Sequence, residues 1–180
     1  MTTALMPATR PWRLSGFTRK AVLVVHIISA VSWLGIDIVL GVFVLMASFS
    51  SDLTVAAVSY QAMHIFVLWT LIPAGLICLA TGLLLGWGSK YGVMKYWWVA
   101  VKLALNIVLT ALVPIALLPT VNDAAEYGRQ LAAGDVTIDP PSQIFFPPIV
   151  SPIALTIAVI LSVYKPWGRI RKRRTKTNAQ

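Results

Sequence analysis

Five polar side chains stand inside stretches that are otherwise almost wholly apolar: His26, Asp37, His64, Lys102 and Asn106. A charged group at membrane depth costs roughly 2.5–3.5 kcal/mol on insertion scales, so each is a functional candidate by default. An imidazole can ligate a metal or move a proton near neutral pH. A carboxylate such as Asp37 can hold a cation or carry a proton. An ammonium such as Lys102, held in low dielectric, attracts an anion and is kept charged by it. Spacing groups these residues. His26, Ala30, Trp33 and Asp37 recur at helical intervals and fall on one stripe. Lys102, Asn106 and Thr110 form a second stripe by the same rule.

The composition says what must position them. A chain of 180 residues suits one soluble domain in length. Its make-up does not: 58% of residues are hydrophobic, 12% are charged, and the mean hydropathy is +0.79. A soluble domain carries about 25% charge. The same numbers exclude a disordered chain. Cys78 is the single cysteine, so no disulfide framework forms within one chain. Gly-rich phosphate loops and Cys/His zinc spacings are absent. An integral membrane protein remains.

Four apolar runs are each near the ~20 residues that cross a hydrocarbon core. Backbone groups in lipid must bond internally, so the runs are helices. They are expected at about 21–49, 62–87, 97–118 and 148–164. Hydrophobicity does not alternate with period two, which excludes a β-barrel. The segments 50–61 and 120–143 read as loops, with one short surface helix at 123–133. Pro73, Pro114 and Pro152 predict kinks. Most tryptophans fall near span ends, where indoles anchor helices; Trp33 does not.

Basic residues set the orientation. Arg10, Arg13, Arg19, Lys20, Lys90, Lys95 and the cluster Lys165–Lys176 would share one side, against Arg129 on the other. The positive-inside rule assigns that basic side to the cytoplasm. The expected fold is an all-α, polytopic transmembrane four-helix bundle in a bacterial plasma (inner) membrane, with both termini cytoplasmic. Basic tails at 1–20 and 165–180 flank the domain at 21–164. A signal peptide is a poorer reading of the first run, which is far longer than a 7–15-residue signal core. The C-terminal cluster directly follows a span, so it reads as an anchor that attracts anionic lipid rather than as a nucleic-acid site.

A rise of 1.5 Å per residue sorts the polar groups by depth. His26 and Lys102 each lie about 8 Å inside the inner boundary and form an inner pair. Asp37 and His64 lie close to the outer boundary and form an outer pair. The two histidines differ in depth by roughly 20 Å, which argues against their being two axial ligands of one haem. The stripes of spans one and three are expected to line a common cavity. Gly41, Gly75 and Gly82 are small enough for close packing, including packing between chains in a homodimer.

The string Val25-His26-Ile27-Ile28-Ser29-Ala30-Val31-Ser32-Trp33-Leu34-Gly35 resembles the first-helix pattern of the HemJ/CopD-like membrane superfamily, a histidine followed by Trp and Gly. Trp97-Trp98-Val99-Ala100-Val101-Lys102-Leu103 is similar to the HemJ "W…KL" segment, and Ile72-Pro73-Ala74-Gly75 with Thr81-Gly82-Leu83 to its "P…G-L" pattern. The resemblance covers roughly 20–113. The family's Tyr-Leu-Pro-Arg-type stretch is replaced by Ile36-Asp37-Ile38-Val39, and Asn106 and Thr110 stand where a later histidine is expected.

HemJ-type proteins are bacterial protoporphyrinogen oxidases that bind haem b, and CopD-type proteins are linked to copper uptake. The resemblance implies His26 as the iron ligand and Lys102 as the catalytic lysine, with Lys102 also pairing a propionate. It implies that Trp33, Gly35 and Asn106 shape the cofactor wall and that electrons pass to the quinone pool. Two other classes stay open. One is a small proton or metal-ion transporter or membrane subunit that uses both polar pairs. The other is a structural or assembly protein in which those pairs fix helix register.

Overall fold

The computed structural model describes residues 14–88, 96–135, 137, 139–166, 168 and 170. Lys90, Lys95, most of the N-terminal basic tail and most of the C-terminal basic cluster lie outside the described residues. The anionic-lipid expectation rests on that cluster.

The chain forms four long helices: α1 (Gly16–Phe49), α2 (Leu53–Gly88), α3 (Trp97–Ala132) and α4 (Pro147–Tyr164), the last preceded by a 3-10 turn at Ser142–Phe145. All four spans are long and apolar enough to cross a membrane. The protein is an all-helical, multi-pass bundle, as its composition requires.

Each helix turns one stripe inward and the rest outward. On α1 the buried residues are His26, Ser29, Trp33, Asp37, Leu40, Val44 and Ala47, a continuous three–four repeat. Val24, Ile27, Ile28, Val31 and Ile38 face outward and are exposed. This inverts the soluble pattern: large apolar side chains coat the outside while three polar ones sit in the buried stripe. A lipid solvent accounts for both.

Small residues set the closest approaches. A Cβ added to Gly75 would stand 3.0 Å from Trp33, and one on Gly82 would stand 3.3 Å from His26. The rings of α1 thus rest on the glycines of α2. Gly41 faces Pro148 of α4, where an added Cβ would be 3.6 Å away. All three glycines therefore face a neighbouring helix of the same chain.

The helices run well past the expected span ends. Asp52 caps α2, accepting from the amides of Thr54 at 2.8 Å and Val55 at 3.4 Å, so the helix begins at Leu53 rather than near 62. The expected loop at 50–61 shrinks to a short turn. α3 continues to Ala132 instead of stopping at 118. It widens into a π-helical turn at Val113–Leu117, which contains Pro114 and ends two residues before Pro119. Proline lacks the amide that closes an α turn, and the wider turn lets the helix proceed. A second π turn, Val67–Leu71, precedes Pro73 in the same way. The extensions pack together: Gln61 Nε2 donates to the Gly128 carbonyl at 3.3 Å, and Tyr60 meets Tyr127 edge-on at 5.0 Å. The surface helix expected at 123–133 is the end of α3.

Candidate functional site

The buried stripe of α1 serves two separate cavities. The inner one, of about 250 Å³, lies at the end where the chain enters α1 and leaves α4. Arg19, His26, Trp98, Lys102, Asn106 and Ser162 are among its lining residues. The outer one, of about 330 Å³, includes Trp33, Asp37, Thr120, Gln143 and Ser151 in a mostly apolar wall.

His26 and Lys102 therefore share a cavity. The His26 ring is held from behind: Nδ1 lies 3.1 Å from the Cys78 carbonyl and 3.0 Å from Thr81 Oγ1. The Thr81 hydroxyl is itself tied to the Ile77 and Cys78 carbonyls. A carbonyl can only accept, so Nδ1 carries the proton and donates. That fixes the tautomer with Nε2 as the free lone pair, the form in which a histidine can ligate a metal. Lys102 Nζ donates to Ser162 Oγ at 2.7 Å. Asn106 Nδ2 donates to Cys78 Sγ at 3.3 Å, and the Thr110 hydroxyl donates to Asn106 Oδ1 at 3.3 Å. The lining holds Arg19, Lys102 and His26 with no carboxylate among them. Its chemistry asks for an anion.

Other expected site residues fall elsewhere. Trp33 lines the outer cavity, not the one that holds His26. Gly35 is exposed, has no atom near an added Cβ and lines neither cavity. The outer pair does not form: Asp37, 2% exposed, accepts from Ser151 Oγ at 2.6 Å. Among the described residues the sole ion pair joins Arg129 and Glu126. The reason is axial offset. Phe66 packs edge-on against Phe43 at 5.5 Å, a level about 9 Å beyond Asp37 along α1, and His64 lies farther out still.

Ser151 and Ser162 are the site residues that reading the sequence missed. They are the two serines within α4, separated by three helical turns and so on one face. That pattern was available as a signal. Thr81 carried a weaker one, lying one helical step from Cys78.

A family profile matches residues 20–166 under the description predicted integral membrane protein (DUF2269). The chain belongs to this family. The match covers all four transmembrane helices except the first turn of α1, and every lining residue of both cavities except Arg19, which lies one residue before it. No match was found among curated proteins or among solved structures.

Proposed function

We propose that this DUF2269 protein binds an anionic amphiphile in its inner cavity, and that the ligand class is a carboxylate-bearing tetrapyrrole such as haem b. One observation carries the reading: the His26 imidazole and the Lys102 ammonium line the same cavity, with Nδ1 of His26 engaged by a backbone carbonyl. The donor set fits. His26 Nε2 would ligate iron, and Lys102 with Arg19 would hold the propionates. Asn106 offers a further polar contact. The cavity is half open, and its roughly 250 Å³ is below the ~300–1,000 Å³ usual for ligand pockets, so it would take only part of a macrocycle. When bound, the iron would supply one-electron chemistry. The residues' own part is to orient the ring, neutralise its carboxylates and exclude water. The HemJ-like oxidation of a porphyrinogen, with transfer of electrons to quinone, extends this binding role. The basic end, carrying the inner cavity, would face the cytoplasm of a bacterial inner membrane.

The test is an absorption spectrum of protein purified in mild detergent, with and without added haem. A Soret band that is lost in His26→Ala and weakened in Lys102→Met, both with unchanged helix content, supports the reading. Colourless protein that takes up no haem overturns it.

A second reading, a proton or metal-ion carrier, draws on the hydrogen-bonded run Cys78–Asn106–Thr110, which leads from the inner cavity toward the outer one. Among the described residues no three His, Cys, Asp or Glu side chains gather as a metal site, so protons suit this path better than copper. Proton flux in liposomes that is abolished by Asp37→Asn would favour it.

A further inference from the structure

The outer cavity holds a carboxylate that the fold leaves half engaged. Asp37 is 2% exposed and lines this cavity but not the inner one. Ser151 donates to its Oδ2 at 2.6 Å, and no other described side chain donates to it. Oδ1 is nevertheless not sealed, since among the described residues Trp33 Nε1 is the one fully buried side-chain N or O atom without a partner. The free oxygen thus keeps a little open surface, and the cavity is the space beside it. The Trp33 donor, being sealed, takes no part. A carboxylate in apolar surroundings is costly unless it is paired, and an ionisable group at membrane depth calls for a named partner. No Lys, Arg or His lines the cavity.

The rest of the wall narrows the choice of partner. Leu71, Leu109, Val113 and Leu117 make its middle apolar. Its other polar members are Thr120 and Gln143. Both hydroxyl hydrogens are spent, that of Ser151 on Asp37 and that of Thr120 on the Ala116 carbonyl at 2.9 Å. Their oxygens can only accept. The Gln143 amide, which can donate or accept, is the one uncommitted side-chain donor on the open wall. It is exposed, and helical rise puts it about 12 Å outward of Ser151. Thr120 is likewise the outermost of the α3 residues in the wall. These two form a neutral polar rim at the outer mouth, apart from the acid. The cavity also opens on the lipid side, where Leu112 and Val150 are 43% and 48% exposed.

We infer that the outer cavity binds an amphiphilic primary ammonium, its head on Asp37 Oδ1 and the Ser151 hydroxyl oxygen, its apolar chain along the wall of α3 and α4. The chemistry at the acid selects this class. An ammonium carries three donors and no acceptor, which suits a carboxylate beside a hydroxyl whose proton is already used. It also supplies the positive charge that no side chain of the wall provides. An alcohol could donate to Oδ1 but would leave the carboxylate's charge uncompensated. An anion would meet that carboxylate with only the distant Gln143 amide to receive it. A bare metal ion is a poor match, because among the described residues no three His, Cys, Asp or Glu side chains gather. The space of about 330 Å³ is that of a small-molecule site. The rim of Thr120 and Gln143 would let a hydrated head pass between the outer water and the acid. The inference rests on neither reading of the inner cavity, since it concerns equilibrium binding at another site.

The experiment is calorimetric titration of the full chain in phosphatidylcholine nanodiscs, with the heat of empty nanodiscs subtracted. The probes are n-hexylamine, which is charged at neutral pH, n-hexanol, hexyltrimethylammonium and sodium chloride. Hexylamine is expected to bind about tenfold or more tighter than hexanol, as a charge-assisted hydrogen bond allows. Hexyltrimethylammonium keeps the charge but has no N–H, and should bind about threefold or more weaker than hexylamine. Sodium should give no saturable heat. Asp37→Asn should remove most of the preference for hexylamine over hexanol. Thr120→Val, at the rim, should leave hexylamine affinity within about threefold. Ala116→Trp, at an exposed position that lines the cavity, should abolish hexylamine binding and covers the case in which Asp37→Asn fails to assemble. No saturable hexylamine binding in the wild type, equal affinity for hexylamine and hexanol, equal or tighter binding of the quaternary probe, or displacement of hexylamine by saturably bound sodium would each overturn the inference. So would a preference retained in Asp37→Asn, a larger loss in Thr120→Val, or unchanged binding in Ala116→Trp.

Discussion

Trp33 of α1 lies flush against Gly75 of α2, with its Cζ3 only 3.0 Å from where a Cβ would stand. The ring is almost fully buried and belongs to the main apolar core. It has little freedom to yield. Gly75→Ala forces a small ring shift that opposes the ~1 kcal/mol gained in helix propensity, so the net change should be slight. Gly75→Val adds two methyls against the same ring and should destabilise by about 1–3 kcal/mol, the usual range for overpacking. Gly35→Ala is the matched control, because no atom lies within 4 Å of its added Cβ. It should be neutral or stabilising. Thermal denaturation in detergent compares the three, and equal behaviour of Gly75→Val and Gly35→Ala would contradict the packing described.

The outer hairpin of α2 and α3 gives a sharper case. A Cβ on Gly128 would come within 2.7 Å of the Ala57 carbonyl oxygen and 2.8 Å of Tyr60 Cβ. Backbone and a Cβ cannot swing aside as the tip of a side chain can. Gly128→Ala should therefore push the two helices apart, break the bond from Gln61 to the Gly128 carbonyl and cost about 1–3 kcal/mol. The loss should be local. Faster amide exchange over 53–62 and 121–132, with the inner half of the bundle unchanged, is the expected pattern.

How much of this was legible in the residues can be traced position by position. The four spans and the shared level of His26 and Lys102 follow from run length and helical rise, two quantities that need no tertiary information. The helix ends did not follow, because apolar windows find membrane crossings and stop where polarity rises. Asp52 and the stretch beyond Pro119 belong to helices that continue into a wetter region, held by Tyr60, Gln61 and Tyr127 rather than by lipid. The split of the α1 stripe into two cavities was also hidden. Trp33 and His26 share a face, yet which neighbour each meets depends on the antiparallel register with Gly75 and Gly82. Run length and helical rise bring Asp37 and His64 to one end of the bundle, but the partner of Asp37 is Ser151 on the last helix, 114 residues away in the chain.

Lys102 and Ser162 separate a structural role from a binding role. The ammonium donates to the serine hydroxyl at 2.7 Å, with no acid beside it in the cavity. Ser162→Ala removes that acceptor and should lower stability of the ligand-free protein by about 1–3 kcal/mol, the cost of a buried donor left unmet. An anionic ligand would take the hydroxyl's place. Tetrapyrrole affinity in Ser162→Ala should then hold or rise, while Lys102→Met lowers it. Parallel losses of affinity in both variants would show that the serine, not the ligand, is the ammonium's proper partner.

Outside the spans, Asp135 tests a local electrostatic claim. Its Oδ1 accepts from the Thr137 hydroxyl at 2.7 Å and from the Thr137 amide at 3.0 Å. These bonds favour the charged form and hold the carboxyl below the usual carboxylate range. A depressed folded value contributes order that is present above the unfolded carboxylate pKa and is lost as pH falls through the folded one. The two bonds between Asp135 and Thr137 should therefore stay intact at neutral pH and be lost only in acid. In Thr137→Ala the Asp135 titration, followed by carboxyl chemical shift, should move upward toward the model-peptide value of ~3.9. An unchanged midpoint would show that the hydroxyl bond, the larger of the two favourable contributions, is not made in solution.

Orientation in the membrane can be read with single thiols, because Cys78 is the only native cysteine and is buried. In a Cys78→Ser background, Ser51→Cys places a thiol in the exposed turn between α1 and α2, and Asn178→Cys places one in the C-terminal tail. The clustered lysines and arginines of that tail resist transfer across a bilayer, so the orientation expected from the positive-inside rule would put it in the cytoplasm and the turn at 51 on the far side. A membrane-impermeant maleimide applied to intact cells should then label position 51 and spare position 178 until the cells are opened. The reverse pattern would place the cavity lined by His26 and Lys102 at the external face. An anionic ligand made in the cytoplasm would then have no direct entry to it, and the binding role proposed for that cavity would have to be sought in an external ligand.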